Sequence, residues 1–209
     1  FLHEHVSKNL KSTYQQMNKA FSKEENILYS FLNTVYPLTV LEFKPIAEIL
    51  KKKKYKKGEI ILNIGQVETK TSLLIKGFIH QYVIIEGELF TIDFSLSGMS
   101  FNNFTSYIEN SPSNQIQQAI TDVEVLYFKK KDIEKLLLES QPFCYIYTKL
   151  FELVHLEREK RSLLLQHKDA SKKYELFLKT IEKSKIFIEK IPQKLIANYL
   201  GMSPETYSR

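Results

Sequence analysis

Near its C-terminal end the sequence sets Glu205, Ser208 and Arg209 three and four residues apart, the spacing that puts side chains on one helix face. An arginine presented this way can donate to O6 and N7 of guanine in a major groove, and a glutamate can accept from N4 of cytosine. The residues just ahead supply a helix start. Ser203 is a natural N-cap, Pro204 suits the first helical position, and Glu205 favours the positive helix end. Earlier still, Gly201 stands where a turn needs positive φ, and Ala197 is small enough to let two helices approach. Ile196, Leu200, Met202 and Tyr207 fall where they can fill the angle between helices crossing at about 90–120°. The stretch IPQKLIANYLGMSPETYSR, residues 191–209, therefore predicts a helix-turn-helix cut off part-way along its second helix. A plain helical hairpin could carry the same caps, so the rest of the chain has to decide.

The 209 residues can hold one large or two modest domains, and 43% hydrophobic with 26% charged residues is the composition of a soluble globular protein. The net charge of +6 is uneven. From residue 168 onward there are nine Lys or Arg against five Asp or Glu, so four of the six net charges sit in the last 42 residues. That asymmetry suits a nucleic-acid contact region. A single cysteine, Cys144, rules out an intrachain disulfide and any cysteine-ligated cluster within one chain. No apolar run nears the ~18 residues of a membrane span, and no signal-peptide pattern opens the chain. These features predict a cytoplasmic protein with no membrane partner.

Taken in order, residues 1–25 read as a polar leader. They do not open on Met, Met17 could equally be a start, and they are given no function. Residues 26–50 have helical periodicity interrupted at Pro37 and Pro45, then run into KKKKYKK, which reads as a solvated helix end and loop. From Gly58 the period changes to two. Ile60, Leu62 and Ile64 alternate; TSLLIK, FIHQYVII and LFTIDF follow, with Glu86-Gly87 as a turn and Phe90, Ile92 and Phe94 expected on one face. After an irregular segment, 95–114, two more strands are predicted near 115–119 and 123–128. Short strands with glycine turns predict an antiparallel barrel or roll, with its flanking helices filling residues 26–140. A long helix from residue 143 to about 167 follows, within a 141–168 segment. Its seam of Tyr147, Leu150, Val154 and Leu164, with Arg161 nearby, predicts a dimer helix, because ~25 residues exceed what a small domain needs. Residues 168–171 read as a hinge, KKYELFLKTIEK as a short helix, and 169–209 as the DNA-binding part.

This order resembles the Crp/Fnr superfamily of bacterial transcription regulators over roughly residues 38–209. IANYLGMSPETYSR is similar to that superfamily's I-A-x-x-L-G-x-[ST]-x-E-T-x-S-R signature, and KKGEIILNIGQ and LLIKGFIHQYVIIEGELFTIDF are similar to its opening strands. The resemblance implies an α+β protein: an N-terminal antiparallel β-roll of cyclic-nucleotide-binding type, a long dimerisation helix, and a C-terminal winged helix-turn-helix. It implies Glu205, Ser208 and Arg209 as base readers of the Fnr-like pattern, Ser203 and Thr206 as phosphate contacts, and Gln193 and Lys194 where the first helix meets the backbone. It also implies a homodimer on a palindromic double-stranded DNA operator, and RNA polymerase as a partner if the protein activates.

The departures from that superfamily matter as much. Cyclic-nucleotide-binding relatives carry F-G-E and P-R-x-A in the roll, the arginine pairing with the cyclic phosphate. Here Pro112 precedes Ser113, no acidic residue follows Gly98 at the matching place, and Glu109 is the only charged residue between Asp93 and Asp122. Such a neutral cassette predicts that cyclic AMP is not the effector. No cofactor or metal is expected, since His80 alone on a strand suits a packed histidine better than a haem ligand. No catalytic constellation is readable. Two other classes compete: a ligand-sensing module without DNA contact, which the E-x-x-S-R face argues against, and a cupin-type enzyme, which lacks the clustered histidines. The effector stays unnamed.

Overall fold

The computed structural model describes residues 21–208. Most of the expected leader, and Arg209, lie outside them. The leader's last residues are helical: Ser22 caps α1 (Lys23–Asn33), with Ser22 N–H donating to Glu25 (2.6 Å) and Glu25 N–H to Ser22 Oγ (3.3 Å). Thr39 and Glu42 build the same reciprocal cap on α2 (Val40–Glu48), which runs through Pro45 instead of breaking there.

Eight strands follow: β1 (Lys51–Tyr55), β2 (Ile60–Leu62), β3 (Lys70–Lys76), β4 (Phe78–Ile85), β5 (Glu88–Leu96), β6 (Ser100–Phe101), β7 (Gln115–Ala119) and β8 (Val123–Lys129), with α3 (Phe104–Glu109) between β6 and β7. They form two antiparallel sheets, ordered β1-β8-β3-β6 and β2-β7-β4-β5. The lysine run is thus not a helix end. It is edge strand β1, paired with β8 from Lys51↔Tyr127 to Tyr55↔Val123, with only Tyr55 buried. Lysines on an open edge discourage pairing with another chain.

Gly77 lies where the chain leaves one sheet for the other. Its φ of +93° suits glycine, and a Cβ there would meet the Asp122 carbonyl, Thr121 Oγ1 at 2.7 Å and Val123 Cγ1 at 2.8 Å. Phe90, Ile92 and Phe94 do not share a face. A bulge in the β4–β5 register pairs Gln81 with Asp93 but Tyr82 with Thr91, leaving Ile92 as an extra residue. The alternation inverts there, so Phe94 is fully buried while Phe90 is 43% exposed. Ile64 also falls outside its expected strand and is half-exposed in a turn.

The helices after the roll are α4 (Lys130–Glu139), α5 (Gln141–Gln166), α6 (Ala170–Thr180), α7 (Ser184–Lys190), α8 (Gln193–Tyr199) and α9 (Pro204–Tyr207). Ser140 caps α5, whose 26 residues span about 39 Å. Asp169 caps α6 by accepting from Lys172 N–H (2.7 Å), so the link is His167, Lys168 and Asp169, and Ala170 and Ser171 of the expected hinge are helical. Where one short helix was expected before the helix-turn-helix there are two, α6 and α7.

Three apolar clusters hold this together. One joins α1, α2, α4 and the start of α5 to β3 and β8 around Phe43, Ile46, Leu126 and Ile146. A second fills the roll with Leu74, Ile79, Ala119 and Val125. The third takes Phe94 and Leu96 from β5 and surrounds them with Leu164, Phe177, Phe187, Ile196, Tyr199 and Leu200. The C-terminal helices are therefore packed onto the roll.

Gly77→Ala is expected to lower unfolding free energy by about 2–5 kcal/mol, from left-handed strain plus the clash. Gly58→Ala, also at positive φ but facing open space, should lose only about 1–2 kcal/mol. Urea denaturation of both variants checks this, and equal losses would show that the clash is relieved.

Candidate nucleic-acid interface

The turn between α8 and α9 is built as its residues dictate. Gly201 adopts φ +62°, and the α8 end closes with Leu200 N–H on Ile196 O (3.0 Å) and Met202 N–H on Ala197 O (2.9 Å). Ile196, Ala197 and Leu200 are fully buried in the angle between the helices. Tyr207 closes the open side against Tyr174, ring centroids 5.7 Å apart. Ser203 Oγ accepts from Thr206 N–H (3.2 Å) and lies 3.1 Å from Thr206 Oγ1; Ser208 Oγ donates to Pro204 O (2.8 Å).

Ser203, Glu205, Thr206 and Ser208 are all exposed on α9, and Gln193 and Lys194 are exposed at the start of α8. Glu205's own backbone N–H and the Ser203 hydroxyl hold its carboxyl below the usual range, so it is an ionised acceptor at neutral pH. Arg209, the third expected reader, lies outside the described residues.

Sequence reasoning missed what fixes this unit in place. β5 is the edge of its sheet, and the Asn198 side chain pairs with that edge: Oδ1 accepts from Thr91 N–H (2.6 Å) and Nδ2 donates to Leu89 O (2.8 Å). Arg161, expected near the dimer seam on a charged part of the long helix, turns inward instead. Its Nη2 donates to Thr91 O (2.8 Å) and Tyr199 O (3.0 Å), and its guanidinium sits 4.2 Å from the Tyr199 ring centroid. One arginine of α5 thus ties the roll edge to the end of α8. Burial pushes the neighbouring Asp93 carboxyl up despite Arg161 and Arg158 nearby. The one sequence cue was an asparagine inside an apolar helical motif, where such residues are poor helix formers.

The expected dimer seam is also redistributed. Tyr147 and Leu150 pack partly against their own helical cluster, Val154 lines a cleft beside the roll, and Leu164 is 1% exposed inside its own chain. Leu164 cannot meet a partner because Phe177 and its neighbours already enclose it. Leu153, Leu156 and Leu163 of α5 are exposed by 56%, 46% and 56%, Leu153 at the rim of that cleft.

Inside the roll lies Ser113, where the resemblance drawn from the sequence leads to the expectation of an arginine in a cyclic-nucleotide binder. Its Oγ accepts from Asn103 Nδ2 (2.6 Å), and the buried Glu68 carboxylate accepts from Gln117 Nε2 (3.1 Å) and Asn103 N–H (3.3 Å). Burial raises Glu68's pKa. His80 is stacked on Tyr82 and Phe94 at 4.7 and 5.1 Å, with Nε2 2.9 Å from Thr91 Oγ1, and burial lowers its pKa to about 4. It is a core residue. No helix among the described residues is long and apolar enough to cross a membrane.

No family model matches the sequence, and no curated protein matches it significantly. Solved structures do match. FixK2 from Bradyrhizobium japonicum superposes with a TM-score of 0.61 at 23% identity, covering 77% of this chain and 82% of that one. A structure from Eubacterium rectale described as a transcriptional regulator of the Crp/Fnr family gives 0.60 at 21% identity, covering 82% and 81%. This chain has the Crp/Fnr fold. A cyclic nucleotide-binding domain from Methylobacillus flagellatus, at 0.60 and 13% identity over 71% and 87%, matches as well. At these identities the likeness is one of fold.

Asn198→Leu removes both bonds to the β5 edge. Losing two hydrogen bonds should lower stability by about 1–3 kcal/mol. Hydrogen exchange should show the Thr91 amide losing protection while amides of the β4–β7 ladder keep theirs. Unchanged Thr91 protection would mean that Asn198 does not hold this contact.

Proposed function

We propose that this chain is a sequence-specific DNA-binding transcription regulator of the Crp/Fnr kind, working as a homodimer and not controlled by cyclic AMP. The observation that carries the reading is the exposed face of α9, a capped helix held on a packed two-helix unit, presenting Glu205 and Ser208 to solvent. Rigid support matters because base readout needs side chains placed to hydrogen-bonding accuracy. Arg209 continues the same face in sequence, and Ser203, Thr206, Gln193 and Lys194 flank it as backbone contacts. The reading is of a binding protein, not an enzyme. The dimer face we assign is Leu153, Leu156 and Leu163, at helical spacing on the free side of α5.

Selection of bound DNA from a random pool should return two-fold symmetric sites, with half-sites about one helical turn, ~34–36 Å, apart. In the full-length protein Arg209→Ala should lose about 1–3 kcal/mol and relax preference at one guanine. Lys194→Ala should weaken all sequences alike and make the salt dependence shallower by about one charge. Asymmetric single half-sites would remove the dimer reading. Sequence preference left intact by the Arg209 change would remove that residue as a base reader.

The bonded Glu68, Asn103, Ser113 and Gln117 cluster supports independence from cyclic AMP. A cyclic phosphate entering there meets a carboxylate and finds no guanidinium, and burying it unpaired costs several kcal/mol. A loss of about 4 kcal/mol takes a micromolar site to roughly millimolar. Calorimetry should therefore show no saturable cyclic AMP or cyclic GMP binding below about 10 μM; binding in that range would overturn this part of the reading.

A further inference from the structure

Between β6 and β7 the chain leaves the sheets for α3, whose six residues are too few to hold a helix by their own hydrogen bonds. The rest of the chain holds it. At its start Asn103 Oδ1 accepts from Ser106 N–H (3.3 Å), and Ser106 Oγ accepts from Glu68 N–H (2.9 Å). Asn103 and Ser106 are both buried. At its other end α3 closes on Asn110, at φ +52°, and its last carbonyls need donors from outside the helix.

Lys130 supplies them. This residue stands where β8 passes into α4, with its own N–H fixed on Thr69 O (2.8 Å). Its ammonium donates to Tyr107 O, to Ile108 O (3.4 Å) and to Asn110 Oδ1 (2.9 Å). The same nitrogen lies 5.0 Å from the Tyr107 ring centroid, and Glu134 Oε1 balances its charge at 3.9 Å. The side chain is only 16% exposed, so water competes little for these bonds. A cation at the C-terminal end of a helix also suits the helix dipole. One lysine of the roll thus reaches across to α3 and directs its three donors there. α3 in turn meets α5 through the Phe104 and Phe151 rings, 5.3 Å apart. Its place therefore bears on the helix that carries the C-terminal unit.

We propose that Lys130 is an internal clamp that keeps α3 folded, and that the clamp leaves the protein competent for DNA without any small molecule, its control being by amount. A helix capped at both ends by its own chain needs no occupant of the roll to order it. The statement about DNA rests on the function proposed above; the statement about α3 does not.

The test uses full-length protein unfolded in urea, freed of small molecules by gel filtration and refolded; if refolding fails, extensively dialysed native protein takes its place. Hydrogen exchange should show the amides of Tyr107, Ile108 and Glu109 protected in this stripped protein. Lys130→Met should speed their exchange at least about tenfold while amides of the β4–β7 ladder keep theirs. Lys130→Arg, which retains charge and donors, should restore most of the protection. Asn110→Gly keeps the left-handed turn but removes one acceptor, and should fall between wild type and Lys130→Met. On a symmetric operator obtained by selection, stripped and as-purified protein should bind within about twofold of each other, and Lys130→Met at least about tenfold more weakly. Unprotected α3 amides in the stripped protein, or protection untouched by Lys130→Met, would overturn the clamp. Stripped protein binding DNA tenfold more weakly than protein as purified would overturn control by amount. Exchange results as expected on a protein that binds no DNA would keep the clamp and remove the regulator. DNA binding unchanged by Lys130→Met, with α3 released, would keep the regulator and remove the clamp from its control.

Discussion

Among the described residues strand β5 has no strand on its outer side, and the open N–H and C=O groups of that edge are what the C-terminal unit docks onto. An unpaired buried backbone group is costly, so an edge that is to be covered must be matched bond for bond. Asn198 does this with one side chain, using its amide as a substitute for a neighbouring strand at Thr91 and Leu89. Arg161 completes the edge at Thr91 O and reaches the end of α8 with the same nitrogen. The roll, the long helix and the two-helix unit therefore meet at one residue pair.

Apolar packing surrounds those bonds. Phe94 projects from β5 into the rings of Phe187 and Tyr199, at 5.5 and 5.6 Å, and Phe177 completes the group. The bulge at Ile92 makes this possible, because without the extra residue the alternation along β5 would turn Phe94 to the other face. A single register shift thus decides whether the roll has an apolar face for the C-terminal helices. The exposed outer face of α9 follows from the same arrangement, since α8 spends its inner face on the roll and on the helix angle, leaving α9's outer residues free.

The long helix serves three neighbours along its length. Its start belongs to the helical cluster beside β3 and β8 through Phe143 and Ile146, and its end to the C-terminal cluster through Leu164. Between them its inner side, with Val154 and Arg161, borders the cleft, Leu153 stands at the cleft's rim, and the outer side keeps Leu156 and Leu163 uncovered. A helix of 26 residues is long enough for this division, which one shorter by half would lack.

The sequence by itself determined most of the strands and the turn of the helix-turn-helix. Alternation marked most of the strands, and β7 and β8 fall almost where the pattern puts them. Gly201, Ala197 and the Ser203 cap specify their geometry through φ, size and a hydrogen bond to a near neighbour, all of which are short-range properties. Tertiary structure decided everything that depends on which residue lies opposite. The lysines at 51–54 became strand because β8 offered an edge, although their own charge pattern favoured a solvated loop. Leu164 went into its own core and Leu153 outward because the C-terminal helices cover one side of α5, and spacing along a single helix cannot say which side a distant segment will take. Asn198 and Arg161 were illegible for the same reason: their partners at Leu89 and Thr91 lie 109 and 70 residues away, and a hydrogen bond across that separation leaves no period in the sequence.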